Sequence, residues 1–305
     1  MDKKPYEMKT GSMIWAGIGW GLVLVLALLY GLKYHSADVF GNSVKKSEIL
    51  SRMKINMLKS AELEKAAVIA VTDKESEDFA KQSLKAADDT EHDLRELDSL
   101  IASDNETTLL REFHTCWKDF REIDKVLLDF AVQNTNLKAA GLSYSKGAEF
   151  IRWFEILITN LTENCNDARI IKPAYQAMTA LLKIHNLEYP HINESDDKQM
   201  DEIEAVMKAQ ENHIRIFIKA ISDMITDEPN RALLDEASAV FAEFMKVNAE
   251  VIRLSRLNTN IRSAELSMGR KRKTVARCEE ILTSMQEAVR SESGFLSKGL
   301  WGKFR

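Results

Sequence analysis

Two short motifs carry the residues best suited to bind a ligand. The segments that begin with Asn134 and Asn258 are similar in sequence and lie 124 residues apart (258 − 134 = 124). Each has a cation four residues later, Lys138 or Arg262. Residues four apart share one face of an α-helix, and amides and cations that converge can bind a carboxylate. One hypothesis is therefore that Asn134, Lys138, Asn258 and Arg262 bind a small organic anion.

The same two asparagines also have a structural interpretation. Both fall on the apolar seam of a long predicted helix, where a buried amide must find hydrogen-bond partners or cost about 1 to 3 kcal/mol. A buried asparagine is known to fix the register of packed helices. The sequence leaves both interpretations open, register and ligand binding.

The other reactive residue types predict neither catalysis nor a cofactor site. His185 and His191 flank a polar segment, and their spacing matches no established set of metal ligands, so a solvated loop is expected there. The chain contains no phosphate-binding loop, no glycine-rich dinucleotide loop, no G-x-S-x-G elbow and no C-x-x-C-H haem motif. We therefore expect no enzyme activity, no metal and no cofactor. The formal net charge of −5 gives no reason to expect nucleic acid as a partner.

Cysteines and a basic run mark contacts between the two longest predicted helices. Cys116 and Cys278 are expected at similar heights on these helices, where they either form a disulfide, if the body is exported, or serve as small core residues. Cys165 has no obvious partner. Residues 270–273 are all basic and surround one helical turn, so at least one charge should point inward and pair with acidic groups near 119–124.

The elements that carry these residues are predicted to be long helices. Glycine and proline are scarce, at 12 and 4 in 305 residues, and 45% of the residues are hydrophobic, which favours an all-α core over many short strands. Capping signals at Thr72, Ser103 and Asp227 mark helix starts. Helices are predicted over 34–71, 75–102, 106–164, 168–187, 197–225 and 229–291.

The body is predicted to be a tandem duplication that folds as two stacked antiparallel four-helix bundles. The offset of 124 also relates Phe120 to Phe244. Two of the helices, each of about 60 residues and about 90 Å, would run uninterrupted through both bundles. The result is a membrane-proximal bundle of 34–133 plus 259–291 and a distal bundle of 134–258. The two asparagine motifs would face each other at the junction.

The N-terminal region predicts a membrane anchor. Residues 13–33 form an apolar stretch that is long enough to cross a bilayer as a helix. Lysines in residues 1–12 favour a cytoplasmic N-terminus, so 34–291 would be an exported, periplasmic body on a bacterial inner membrane. The C-terminal tail, 292–305, is amphipathic and is either a segment that lies at the headgroup interface or a frayed terminus.

The anchor, the helical exported body and the repeated Asn-Thr-Asn followed by Leu-Ser resemble the four-helix-bundle sensor domains of bacterial methyl-accepting chemotaxis receptors, in their helical bimodular form. The resemblance covers about residues 10–291 and implies a sensor that binds a small ligand and forms a homodimer. The second span and the cytoplasmic signalling region of that family have no counterpart in this sequence, so we expect signalling through a partner membrane protein. The alternative is a structural spacer or scaffold subunit of an envelope assembly with no small-molecule ligand.

Overall fold

The regular structure of the described chain is entirely helical. The computed structural model describes residues 41–165 and 167–301, with side chains up to residue 291, and no strand occurs among them. The predicted all-α class is confirmed. The helices are α1 (41–69), α2 (Asp73–Asp98), α3 (Asp104–Gln133), α4 (Thr135–Leu142), α5 (Ala148–Asn164), α6 (Ala168–Ile192), α7 (Asp197–Ser222), α8 (Glu228–Leu257), α9 (Thr259–Leu266) and α10 (Arg272–Trp301).

The predicted membrane anchor is not among the described residues. The predicted cytoplasmic N-terminus, 1–12, and the membrane segment, 13–33, lie outside them, and so do residues 302–305 of the predicted tail. In the part of the chain that the structure describes, no helix combines the length and the apolar content that a bilayer crossing requires. The backbone of α10 stays helical through the predicted tail as far as Trp301.

Side-chain caps fix helix starts where the sequence predicts them. Thr72 Oγ1 accepts a hydrogen bond from the Glu75 backbone N–H at 3.2 Å and donates one to the Glu75 carboxylate at 2.9 Å. Asp167, Asp196 and Asp227 accept hydrogen bonds from backbone N–H groups in the first turns of α6, α7 and α8. These bonds matter because the first N–H groups of a helix have no acceptor within the helix itself.

Helix α6 is longer than the sequence predicts. The expected end at residue 187 and the expected polar break over 189–196 are replaced by helix as far as Ile192. The last turn persists because it has buried contacts: His191 is 0% exposed and Ile192 is 5% exposed. His185 and His191 therefore lie on a helix, and the prediction of a solvated loop around them is wrong.

The two longest predicted helices are each broken at one asparagine. Continuous helices over 106–164 and 229–291 are wrong, because Asn134 and Asn258 have φ angles of 50° and 54° and interrupt them. No other non-glycine residue in the described chain has a positive φ. Asparagine adopts this left-handed conformation more readily than most residues, because its short polar side chain can hydrogen-bond locally.

A π-helical turn follows each break and completes a precise internal repeat. The turns are Ser143–Gly147 and Ser267–Lys271, which again differ by 124 residues. Adding 124 to the bounds of α2, α3 and α4 gives the bounds of α7, α8 and α9 without a residue of difference. The predicted duplication is thus confirmed for these helices and turns, and each position in one copy has a defined counterpart in the other.

The chain divides into two compact units. Among the described residues, the first contains 41–59, 85–119 and 275–301, and the second contains 60–84, 120–165 and 167–274. The predicted border of the two modules, after residues 133 and 258, falls inside the second unit. The buried side chains of the first unit include Ile49, Leu50, Met53, Leu97, Phe113, Leu282 and Met285, and the core of the second includes Phe154, Ile158, Leu181, Ile214, Leu234 and Phe244.

A disulfide links two helices within the first unit. Cys116 of α3 and Cys278 of α10 are bonded, with 5.7 Å between their Cα atoms, and both are fully buried. Of the two roles that the sequence left open for this pair, the structure contains the bridge. Cys165 is buried as a free thiol in the second unit.

Candidate functional site

The centre of the candidate site is a pair of interlocked segments, residues 134–136 and 258–260, which we call the Asn-Thr-Asn pair. The hydroxyl oxygen of Thr259 accepts from the backbone N–H of Thr135 at 3.2 Å, and the hydroxyl oxygen of Thr135 accepts from the backbone N–H of Thr259 at 3.2 Å. Asn136 and Asn260 repeat this exchange, each amide oxygen accepting from the backbone N–H of the other residue at 3.1 and 3.2 Å. The starts of α4 and α9 therefore cap each other.

The two asparagines at the breaks complete the interlock. Asn134 Oδ1 accepts from Asn260 Nδ2 at 3.0 Å, and Asn258 Oδ1 accepts from Asn136 Nδ2 at 2.8 Å. This exchange explains why neither asparagine caps its own helix. The left-handed residues turn the chain so that the following helix starts against its counterpart. Because both copies of the repeat contribute the same groups, the hydrogen bonds are nearly symmetric.

The remaining donors of the two asparagines point to different partners. Asn134 Nδ2 donates to Asp73 Oδ1 at 3.0 Å, whereas Asn258 Nδ2 donates to the backbone oxygen of Glu194 at 2.8 Å. The hydrogen bond from Asn134, together with Lys138, lowers the pKa of Asp73. The network is consistent with the register interpretation, since both side-chain amides have partners for donor and acceptor.

The structure brings only some of the predicted ligand-binding residues together. Asn134 and Asn258 are buried within one network, whereas Lys138 and Arg262 are both exposed. Lys138 Nζ lies 3.2 Å from Asp73 and donates to the backbone oxygen of Gln133 at 2.9 Å. Binding of a carboxylate by the four residues stays a prediction, and an anion would compete with Asp73 for Lys138.

Next to the second π turn, a lysine is buried among acidic groups. Lys271 forms an ion pair with Asp124, and each side chain is 1% exposed. The Lys271 ammonium also lies 2.9 Å from the centre of the Phe120 ring. Burial lowers the pKa of Lys271 to about 8, although Asp124 opposes this shift. The predicted pairing of the basic run with acidic groups near 119–124 is confirmed for this lysine.

Glu64 of α1 belongs to the same buried group. Burial raises the pKa of Glu64 to about 6, and the charge of Asp124 adds to this effect, while Ser267 and Lys271 oppose it. Neither carboxylate oxygen makes a hydrogen bond of good geometry with a described residue. Glu64 is not among the site residues that the sequence predicts. The repeat offers a sequence signal for it, because the offset of 124 relates it to a second glutamate, Glu188. Both glutamates are fully buried.

Next to the first π turn, Glu188 has a different environment. Its Oε2 accepts from the Ser143 hydroxyl at 2.5 Å and lies 3.0 Å from His185 Nδ1. A cavity of about 120 Å³ lies beside His185. It is lined by Ser143, Tyr144, His185, Asn186, Tyr189 and Ile192. This cavity lies entirely within the second unit.

The second histidine of α6 has a structural network of its own. His191 contacts Ser255 Oγ through Nδ1 at 2.8 Å and Glu204 Oε1 through Nε2 at 2.9 Å. Arg256 donates to the same carboxylate oxygen at 2.7 Å. Burial raises the pKa of Glu204, but the hydrogen bonds from Arg256 and His191 outweigh it and lower the pKa. This network joins α6, α7 and α8.

Comparison with known proteins identifies no family for the chain. No protein-family model matches the chain, and no curated protein matches it either. The fold and the site therefore define the class of molecule by themselves: a duplicated all-α bundle with a buried polar interlock between its two copies.

Proposed function

We propose that the chain is a membrane-anchored periplasmic sensor of chemoreceptor type, whose helical body binds a small molecule and signals through a partner protein. The observation that carries this proposal is the break of both long helices at buried, left-handed asparagines. A passive rod is served best by uninterrupted helices. Left-handed non-glycine residues and π turns cost conformational energy, and they are found disproportionately at functional sites.

The hydrogen bonds of the Asn-Thr-Asn pair suit two helix starts that move together. Because α4 and α9 cap each other, a displacement of one helix start breaks hydrogen bonds of the other unless both move. Such mutual dependence favours two discrete arrangements of the helices over continuous deformation. A ligand that binds one arrangement more tightly would then increase its population. The chain continues from α9 through a π turn into α10, which offers a covalent route for a small helix shift.

The second candidate function is a structural spacer or scaffold of an envelope assembly. The observation that favours it is that each of the two central asparagines already uses its side-chain oxygen as an acceptor and its side-chain nitrogen as a donor within the protein. A spacer would gain register and stiffness from the same network.

A ligand screen on the full chain separates the two functions. Detergent-solubilised protein is heated with organic acids, amino acids and small amines, and a ligand that binds only the folded state raises the melting temperature with concentration. A sensor predicts at least one saturable shift. A spacer predicts none, together with constant co-purification of an envelope partner, and that result would refute the proposal.

The predicted anion site has its own test within this screen. Any organic acid that binds is titrated calorimetrically into wild-type protein and into Asn258→Leu, with Arg262→Gln as a substitution that removes only an exposed charge. Loss of binding in both variants is the expected result. Binding that survives both substitutions excludes Asn134, Lys138, Asn258 and Arg262 as the site and leaves the sensor function to another part of the molecule.

A further inference from the structure

The cavity beside the first π turn has an aromatic entrance and a polar inner wall. Tyr144 and Tyr189 are 68% and 62% exposed, whereas the His185 side chain is 19% exposed. The volume of about 120 Å³ is several times the roughly 15 Å³ that a cavity needs to hold one water, so there is room for a small molecule. This is the size of a small metabolite.

A buried negative group stands behind the inner wall. Because the Glu188 carboxylate can only accept, the 3.0 Å contact assigns the ring proton of a neutral His185 to Nδ1 and leaves a lone pair on Nε2. Among the described residues Nε2 makes no hydrogen bond, and the second carboxylate oxygen of Glu188 has no hydrogen-bond partner either. The cavity therefore offers the Nε2 of His185 as a hydrogen-bond acceptor, next to the Glu188 carboxylate, one oxygen of which has no hydrogen-bond partner among the described residues.

The other copy of the repeat shows which of these residues the fold requires. The serine and the glutamate are retained there as Ser267 and Glu64. Five of the six lining residues differ, and their counterparts at the offset of 124 are Met268 for Tyr144, Ala61 for His185, Glu62 for Asn186, Lys65 for Tyr189 and, as the one conservative change, Val68 for Ile192. Because the backbone is helical at these positions with either set, helix formation does not explain the tyrosines, the histidine and the amide.

The two copies also differ in buried positive charge, which only the copy with Lys271 has in its π turn. Lys271 is the counterpart of Gly147, and a Cβ atom added at Gly147 would lie 3.6 Å from His185 Nδ1. A long side chain at that position would compete with the imidazole for space. The glycine thus leaves room for His185 in this copy, where no buried lysine stands in the π turn.

We propose that this cavity binds a small organic amine in its protonated form, an assignment that rests on the proposed sensor function and names the ligand class. An ammonium group donates to His185 Nε2, its charge is attracted by Glu188, and the faces of Tyr144 and Tyr189 favour a cation. A carboxylate of equal size would instead approach Glu188 and find no buried cation. The amine site is separate from the predicted anion site, with which it shares no residue.

Two probes of equal length and opposite charge test the assignment. Isothermal titration of the solubilised full chain is carried out with n-butylammonium and with butyrate at neutral pH. We expect millimolar binding of n-butylammonium and no measurable binding of butyrate. Butyrate binding as tight as that of n-butylammonium, or no n-butylammonium binding up to its solubility, would overturn the assignment.

Residues borrowed from the other copy supply variants that the fold tolerates. Tyr189→Lys and Tyr144→Met introduce the residues of the counterpart positions, and Tyr175→Ser is the matched control, since Tyr175 is 53% exposed on the same helix, outside the cavity, and has Ser51 as its counterpart. We expect about tenfold weaker n-butylammonium binding in Tyr189→Lys, a smaller loss in Tyr144→Met and wild-type binding in the control. Equal binding in all three variants would place the amine elsewhere.

The outcomes distinguish failure of the amine site from failure of the sensor function. If an organic acid binds, Asn258→Leu abolishes its binding and n-butylammonium does not bind, the amine assignment is wrong while the sensor proposal stands. If no compound of either charge binds the wild-type chain, both are refuted.

Discussion

Replacement of Glu64 by glutamine should stabilise the protein at neutral pH. Glu64 is fully buried, and burial raises its pKa from 4.5 to about 6 although Lys271 is nearby. The folded state therefore prefers the protonated, neutral carboxyl. A pKa raised by folding contributes stability that is present in full below pH 4.5 and is lost as the pH rises through about 6. Glutamine keeps the shape of the neutral form at every pH.

The size of the effect follows from the pKa difference. A rise from 4.5 to about 6 corresponds to about 2 kcal/mol at neutral pH, at about 1.4 kcal/mol per pKa unit. This figure already includes the attraction of Lys271, which opposes the rise in the pKa of Glu64. Near pH 4.5 the unfolded carboxyl is itself half protonated, so little of the gain should remain.

Urea unfolding of the wild-type and Glu64→Gln proteins, both with the disulfide intact, measures the difference at neutral pH and near pH 4.5. Comparing the two proteins at each pH cancels the titration of all other groups. Glu62→Gln serves as the control, because Glu62 is exposed on the same helix and should change stability little. A destabilised Glu64→Gln at neutral pH, or a gain that does not change with pH, would refute the reasoning.

Three further substitution experiments test the remaining structural features. Lys271→Met should lower the free energy of unfolding in urea by about 3 to 5 kcal/mol, because it leaves Asp124 buried without its partner. Adding Asp124→Leu should restore the stability to near the wild-type value. A double variant that is no more stable than Lys271→Met would contradict this reasoning. Joint replacement of Cys116 and Cys278 by alanine should lower the free energy of unfolding in urea by about 5 kcal/mol, because the disulfide closes a loop with a separation of 162 residues. In reductant, the variant and the wild-type protein should be equally stable. Asn258→Ala should be less stable than Asn258→Gly by about 1 to 2 kcal/mol, because only glycine accepts a φ of 54° without strain; equal melting temperatures would show that the strain is absent.

The sequence predicted the helix starts and the repeat well, because both depend on local signals. The capping residues Thr72 and Asp227 act within a few residues of the helices that they start. The meeting of the segments around Asn134 and Asn258 also follows from the sequence, since it needs only the offset of 124 and antiparallel packing. These features require no knowledge of how side chains pack.

The breaks and the buried charges lay beyond local signals. An asparagine on an apolar seam has the same spacing whether its backbone is helical or left-handed, so the pattern could not reveal the φ of 50° at Asn134. Burial of His191 depends on contacts with Ser255 and Glu204, which are distant in sequence. Glu64 shows no local pattern that distinguishes it from the many exposed glutamates.

The duplication itself separates folding from function in this molecule. Both copies bury a glutamate beside a serine of a π turn, as Glu64 and Glu188, which indicates a shared structural requirement. They differ in the nearby cationic or titratable group: Lys271 in one copy and His185, beside Gly147, in the other. In the copy with the glycine and the imidazole, a cavity of about 120 Å³ lies beside the histidine. Since each arrangement supports helix at the corresponding positions, the choice between them is free for selection on binding.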